Sequence, residues 1–308
     1  MKRKKIAVED VACFDNLVKA ATKAASGKRT SANVMQFFAN FEVHLQEIRE
    51  RILAGKVASG ELHQFTIFDP KRRIIRAPNF PDRVLHHAIM NFVAPVLDRA
   101  MISSSFACRP QKGNHAAIRQ VQKNIRRFLY YAKIDIHSYF DAIDHRLLYQ
   151  KLERRFKGTQ VLNLLKNIIH NYQSSPGKGL PIGTLPSQHF ANYFLDSLDR
   201  YILEELKVCA VVRYMDDIIW WCDSRSQAKR TLNQVRKYVV RQLFLQVKEA
   251  VTRMIFLGKN ICYRRRDKIL TMRSRKIFLL DGRVVGEKTN MAYGCHLRLK
   301  ECSKVFAG

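Results

Sequence analysis

The stretch VVRYMDDIIWW, residues 211–221, sets two neighbouring carboxylates, Asp216 and Asp217, between apolar and aromatic runs. Such runs read as buried strands and Asp favours turns, so the segment reads as a strand, a turn and a second strand. Ionised carboxylates placed side by side repel each other and lose hydration, which is tolerated at an exposed turn or around a cation. Taken alone, the dipeptide is equally a plain hairpin turn.

A second apolar stretch, AKIDIHSYFDAIDH at 132–145, sets Asp135 between Ile134 and Ile136 in a segment that should be buried. A lone acid there needs a partner. Three acids from two adjacent strands can hold two divalent ions, which activate an attacking oxygen and stabilise a leaving one in phosphoryl transfer. Hard oxygen ligands and a phosphate substrate make magnesium the expected metal.

The rest of the chain suits that chemistry. Its 308 residues, 47% hydrophobic, are enough for roughly two or three packed subdomains. Lys and Arg number 55 against 26 Asp and Glu, and the net charge of +29 is an electrostatic footprint for a polyanion. Nucleic acid is the leading partner and an anionic membrane the second. No apolar run approaches the ~20 residues of a bilayer span, and MKRKKIAVED lacks the apolar segment of a secretory signal. A soluble cytoplasmic protein is expected, without a membrane partner. The seven cysteines show no C-x-x-C spacing, so they read as reduced thiols. His86 and His87 are adjacent and point to different sides of a helix, which argues against joint metal ligation; they read as structural, or else as RNA contacts.

Periodicity predicts a helix over about 33–54, a strand pair in HQFTIFDPKRRIIRAP broken at Asp69-Pro70, and a helix through DRVLHHAIMNFVAPVLDRAM with a kink at Pro95. Further helices are predicted in AAIRQVQKNIRRFLYY, DHRLLYQKLERRF, SQHFANYFLDSLDRYILEEL and SQAKRTLNQVRKYVVRQL. Helices and strands interleave without a βαβ rhythm, which gives an α+β class.

Tyr214-Met215-Asp216-Asp217 together with KIDIHSYFDAIDH resembles the palm of a reverse transcriptase. FDPKRRIIRAPNFPDRVLHHA resembles the fingers motif of that superfamily, SSSFACRPQKGNHAA the motif after it, and MIFLGKNICY the primer-grip turn. The order of these motifs over about 60–262 carries the resemblance. It implies a right-hand polymerase fold with an N-terminal helical extension at 1–59, fingers at 60–133, a palm at 134–262 and a short thumb at 263–308. Asp135, Asp216 and Asp217 become the catalytic acids, and these three with Ile136 become the positions for two magnesium ions.

By the same resemblance Lys71 and Arg73 hold the incoming triphosphate, with Arg76 and Arg109 beside them. Phe140 stands where the family excludes a ribose 2′-hydroxyl, or else it is an ordinary core aromatic. Tyr214 and Lys248 join the nucleotide set, Lys248 near the leaving pyrophosphate. Leu257 and Gly258 support the primer end.

One strip, GLPIGTLPSQHF at 179–190, carries no charge over its first eight residues. It corresponds to a segment that the family packs against the templating base pair, where many relatives have Gln immediately before the Gly. Here Ile182 precedes Gly183, and the motif continues to Ser187 and Gln188. That form resembles the reverse transcriptases of diversity-generating retroelements, which copy a template RNA with errors at adenines. The resemblance implies a structured template RNA, a DNA or RNA primer with its cDNA, dNTPs, a prokaryotic or phage source, and a small helical accessory protein that assembles as a ring, a pentamer. The alternatives are a group II intron- or retron-type enzyme, and a catalytically inactive basic RNA-binding protein.

Overall fold

A computed structural model of the chain describes residues 2–57, 62–68 and 72–249, together with the backbone of strands at 253–256, 277–280 and 283–286. In chain order, β1 (Lys4–Lys5) leads into α1 (Val8–Val11), α2 (Phe14–Ala25), α3 (Ala32–Ala39) and α4 (Phe41–Leu53). Then come β2 (His63–Phe68), β3 (Arg72–Ala77), α5 (Phe80–Ala100), α6 (Asn114–Arg127), β4 (Tyr130–Asp135), α7 (Tyr139–Ala142), α8 (His145–Glu153), β5 (Phe156–Lys157) and α9 (Thr159–His170). They are followed by α10 (Leu185–Phe194), α11 (Asp196–Arg200), β6 (Ala210–Tyr214), β7 (Asp217–Cys222), α12 (Arg225–Leu243), β8 (Arg253–Phe256), β9 (Ile277–Leu280) and β10 (Arg283–Gly286). The expected α+β class holds.

The described residues fall into two compact units. The first takes residues up to Arg99 together with Asp144–Phe190. Its strands are the β2–β3 hairpin, in register from His63↔Ala77 to Phe68↔Arg72, and a short parallel pairing of β1 with β5. Its core is mostly aliphatic, with Leu45, Ile48, Ile52, Val84, Leu85, Leu164 and Leu165 all nearly inaccessible, and includes the buried Phe37, Phe156 and Phe190.

The second unit takes Ala100–Ile143 and the described residues from Ala191 on. At its centre is an antiparallel sheet in the order β6-β7-β4-β8. Successive side chains of a strand point to opposite faces. On one face Tyr131, Val212, Ile219 and Trp221 pack with Phe106, and with Ala117 and Val121 of α6. On the other, Trp220 donates its indole N–H to Thr231 Oγ1 of α12 at 3.0 Å. Both faces are covered, which is why β7 is buried along its whole length.

Several sequence expectations change. The helix over 33–54 is two helices, because Asn40 leaves helical geometry at φ −119° and ψ 46°. The long helix after the uncharged strip breaks at Leu195, and its continuation sets the buried Asp199 against Arg213. α6 stops at Arg127, because Tyr130 and Tyr131 are taken into β4 opposite Cys222 and Trp221. The helix expected through Pro95 is present as α5, with Pro95 inside it. The Asp69-Pro70 turn and most of the expected thumb lie outside the described residues.

Candidate active site

The β4–β7 ladder ends on the pair Asp135↔Asp217, so the two carboxylates are directly opposed on one face of the sheet. Asp135 is 3% exposed and Asp217 is fully buried. β6 and β7 pair Tyr214 with Asp217, which leaves Met215 and Asp216 as a two-residue turn. Met215 sits at φ +56°, where such a turn favours glycine. For a methionine this costs about 1–3 kcal/mol, so the surroundings must hold the turn in place.

Arg213 does so. It is fully buried, and its Nε donates to both carboxylate oxygens of Asp199 at 2.8 Å. Its Nη1 donates to Asn192 Oδ1 at 2.7 Å and to the Met215 carbonyl at 3.1 Å. Asn192 is anchored in turn by its own donation to the Ala107 carbonyl at 2.6 Å. Burial pushes the Asp199 carboxyl up to about 6 while Arg213 pulls it back.

Lys133 lies one pleat before Asp135 on the same face, and its Nζ is 3.2 Å from Asp217 Oδ1. Burial pushes the Asp217 carboxyl up to about 7, against the pull of Lys133 and with Asp216 and Asp135 adding to the rise. Three carboxyl groups, Asp135, Asp216 and Asp217, thus share this end of the sheet with Lys133. Past Asp135 the chain pairs with a following segment, since Lys248 N–H donates to the Asp135 carbonyl at 2.8 Å and His137 N–H to the Gln246 carbonyl at 2.7 Å. Strand alternation then turns the Ile136 carbonyl to the opposite edge, where the β7 ladder has ended. These donors are hard oxygens and suit magnesium. Among the described residues no three His, Cys, Asp or Glu side chains are already gathered as a ligand shell.

Three further expected residues come together in the first unit. Arg76 N–H of β3 donates to the Ile182 carbonyl at 2.7 Å, so the uncharged strip lies along β3. Gly183, at φ +127°, brings its backbone so close that a Cβ there would stand 2.7 Å from the Arg76 carbonyl oxygen. The Arg76 guanidinium lies 4.8 Å over the Tyr172 ring. Beyond Gly183, Thr184 Oγ1 accepts from the Ser187 N–H at 3.4 Å at the start of α10, and Gln188 is buried.

Arg73 is half-buried on β3. Arg109 Nη1 donates to the Ile102 and Ser105 carbonyls at 2.5 and 3.0 Å, which ties its own loop together. Phe140 is half-buried, edge-on to Tyr139 at 5.8 Å, and the Tyr139 hydroxyl donates to the Ala191 carbonyl at 2.5 Å. Lys71, Leu257 and Gly258 lie outside the described residues. Sequence reasoning missed Lys133, Arg213, Asp199 and Asn192. The available signal was the charge of Lys133 and Arg213 inside otherwise apolar strands.

The described residues contain no helix long and apolar enough to cross a membrane. Among solved structures, apo telomerase from Candida tropicalis truncated from its C-terminal domain matches with a TM-score of 0.51 at 15% identity, over 73% of this chain and 55% of that one. The likeness gives the chain the right-hand polymerase fold. Among curated proteins, Protein YkfC of Escherichia coli is 27% identical over 54% of this chain and 47% of its own length. The group II intron-encoded protein LtrA of Lactococcus lactis is 24% identical over 44% of this chain and 23% of its own. The chain thus spans less than half the length of either. The model of the family described as reverse transcriptase (RNA-dependent DNA polymerase) matches residues 68–266, more than half of the sequence. The chain belongs to the reverse transcriptase family.

Proposed function

We propose that the chain is an RNA-directed DNA polymerase that extends a DNA or RNA primer with dNTPs along a structured template RNA. The observation that carries this is the opposed pair Asp135 and Asp217, adjoined by Asp216 in a strained turn that a buried arginine holds. Asp135 and Asp216, with the Ile136 carbonyl, are the donors for two magnesium ions. When bound, the ions supply activation of the primer hydroxyl and stabilisation of the leaving pyrophosphate. Asp217 completes the acidic cluster, and Lys133 keeps it oriented. Lys71 and Arg73 hold the triphosphate, Phe140 bounds the sugar, and Leu257 and Gly258 support the primer end. Fingers at 60–133, palm at 134–262 and thumb at 263–308 belong to this proposal. Magnesium-dependent dNTP incorporation on an RNA template tests it; a folded, RNA-binding protein that incorporates nothing would leave the inactive RNA-binding reading.

Within the family, the diversity-generating type rests on Ile182-Gly183 through Ser187-Gln188, and it brings the ring-forming accessory protein as partner. A Gln before the Gly could hydrogen-bond at the nascent pair, whereas Ile182 offers only apolar surface. The lost bond, about 0.5–1.5 kcal/mol, corresponds to a factor of roughly 2 to 13 in selection. An intron-encoded type is the second reading, favoured by the lactococcal relative and by the 30% identity over 98 residues with nuclear intron maturase 1 of Arabidopsis thaliana. Sequencing of cDNA decides between them. The first reading expects errors at template adenines that fall in Ile182→Gln, and the second expects no excess there.

A further inference from the structure

The fold builds a basic surface that neither contributing segment forms alone. β1 pairs in parallel with β5, with Lys4 opposite Phe156 and Lys5 opposite Lys157, and Lys4 N–H donates to the Arg155 carbonyl at 2.7 Å. The pairing sets the run Lys2-Arg3-Lys4-Lys5 beside the run Arg154-Arg155-Phe156-Lys157. Phe156 is fully buried and anchors the strip, while Lys2, Arg3, Lys4, Lys5, Arg154 and Lys157 are exposed. Arg3 and Arg154 line one shallow groove with Gln150, Leu162 and Glu153, the one acid in its wall.

Bringing two basic runs together costs repulsion, because exposed charges closer than the ~10 Å screening length still act on each other. A polyanion removes that cost by trading its counterions for the lysines and arginines. The two runs are joined through main-chain atoms, so the side chains remain available to a partner. We infer that this β1–β5 surface binds the phosphate backbone of structured RNA. The inference rests on the reading of the chain as an RNA-templated polymerase. Its primary readout, RNA binding, is made without nucleotides, so failure of polymerisation and failure of this surface are separate results.

The variant carries Lys2→Gln, Arg3→Gln, Lys4→Gln and Lys5→Gln in the full chain, and the probe is a labelled RNA hairpin titrated at several salt concentrations. The slope of log affinity against log salt should flatten by about 3, since each phosphate contact contributes roughly 0.7–0.9. Extension of oligo(dT) on poly(rA) should stay at the wild-type rate. If the quadruple variant folds poorly, Arg154→Gln with Lys157→Gln reads the same surface, with an expected flattening of about 1.5. An unchanged slope overturns the inference. So does an equal loss of homopolymer extension, which would put these residues on the polymerising track. An unchanged RNA slope with lost binding to phosphatidylserine vesicles would assign the surface to a membrane instead.

Discussion

Lys133 Nζ stands 3.2 Å from Asp217 Oδ1 on the sheet face where Asp217 opposes Asp135, and both partners are largely shielded from water. A buried pair that loses one member leaves the other charge uncompensated, and a carboxyl already raised to about 7 meets this by taking up a proton. Lys133→Met should therefore lower stability in urea unfolding more at pH 9 than at pH 6, and Lys133→Arg much less at either pH. A loss for Lys133→Met that does not grow with pH would show that Lys133 does not compensate Asp217.

The Arg213–Asp199 pair is fully excluded from solvent. Arg213→Met should cost about 3–5 kcal/mol, while Arg213→Met combined with Asp199→Leu should cost clearly less than the two single changes together. Strictly additive losses would mean the two residues do not act as a pair.

Gly183 tests the seat of the uncharged strip. Gly183→Ala adds a Cβ 2.7 Å from the Arg76 carbonyl at a backbone angle of +127°, so about 1–3 kcal/mol should be lost. Gly177→Ala, at φ +72° with open space around it, should cost less. Equal melting temperatures for the two variants would contradict the close approach.

Burial pushes His86, His87 and His189 down to about 4. A folded-state value below the ordinary 6.5 means that the unfolded chain binds the proton more readily. The contribution to stability is therefore complete above about 6.5 and is lost as pH falls towards 4. Each histidine accounts for about 3 kcal/mol, with less than additive total because His87 and His189 act on each other. Urea midpoints should drop steeply over this window, and His86→Gln should flatten the drop. A slope that His86→Gln leaves unchanged would contradict the buried neutral imidazole.

The strand, turn and strand around Met215-Asp216 were legible because apolar runs flank two acids, and Asp135 because an acid interrupts an apolar strand. What supports them was legible only in part. Arg213 stands out as a charge inside an apolar strand, but its partner does not, because a helix break brings Asp199, 14 residues earlier, to face it inside the unit. The seat of Ile182 on β3 is a main-chain hydrogen bond, which leaves no trace in side-chain pattern. The break at Asn40 was hidden for a related reason. Helical periodicity continues across it, and only backbone geometry departs.

The central claim is that Asp135 and Asp216 carry magnesium-dependent DNA synthesis on RNA. Its most direct test is primer extension on an RNA template with wild-type protein and with Asp216→Asn, after confirming that both melt at the same temperature and bind the template equally. The account expects incorporation by the wild type that requires magnesium, and a loss of about a thousandfold or more in Asp216→Asn, equivalent to roughly 4 kcal/mol of transition-state stabilisation. A folded Asp216→Asn protein that extends the primer at a rate near wild type would contradict it.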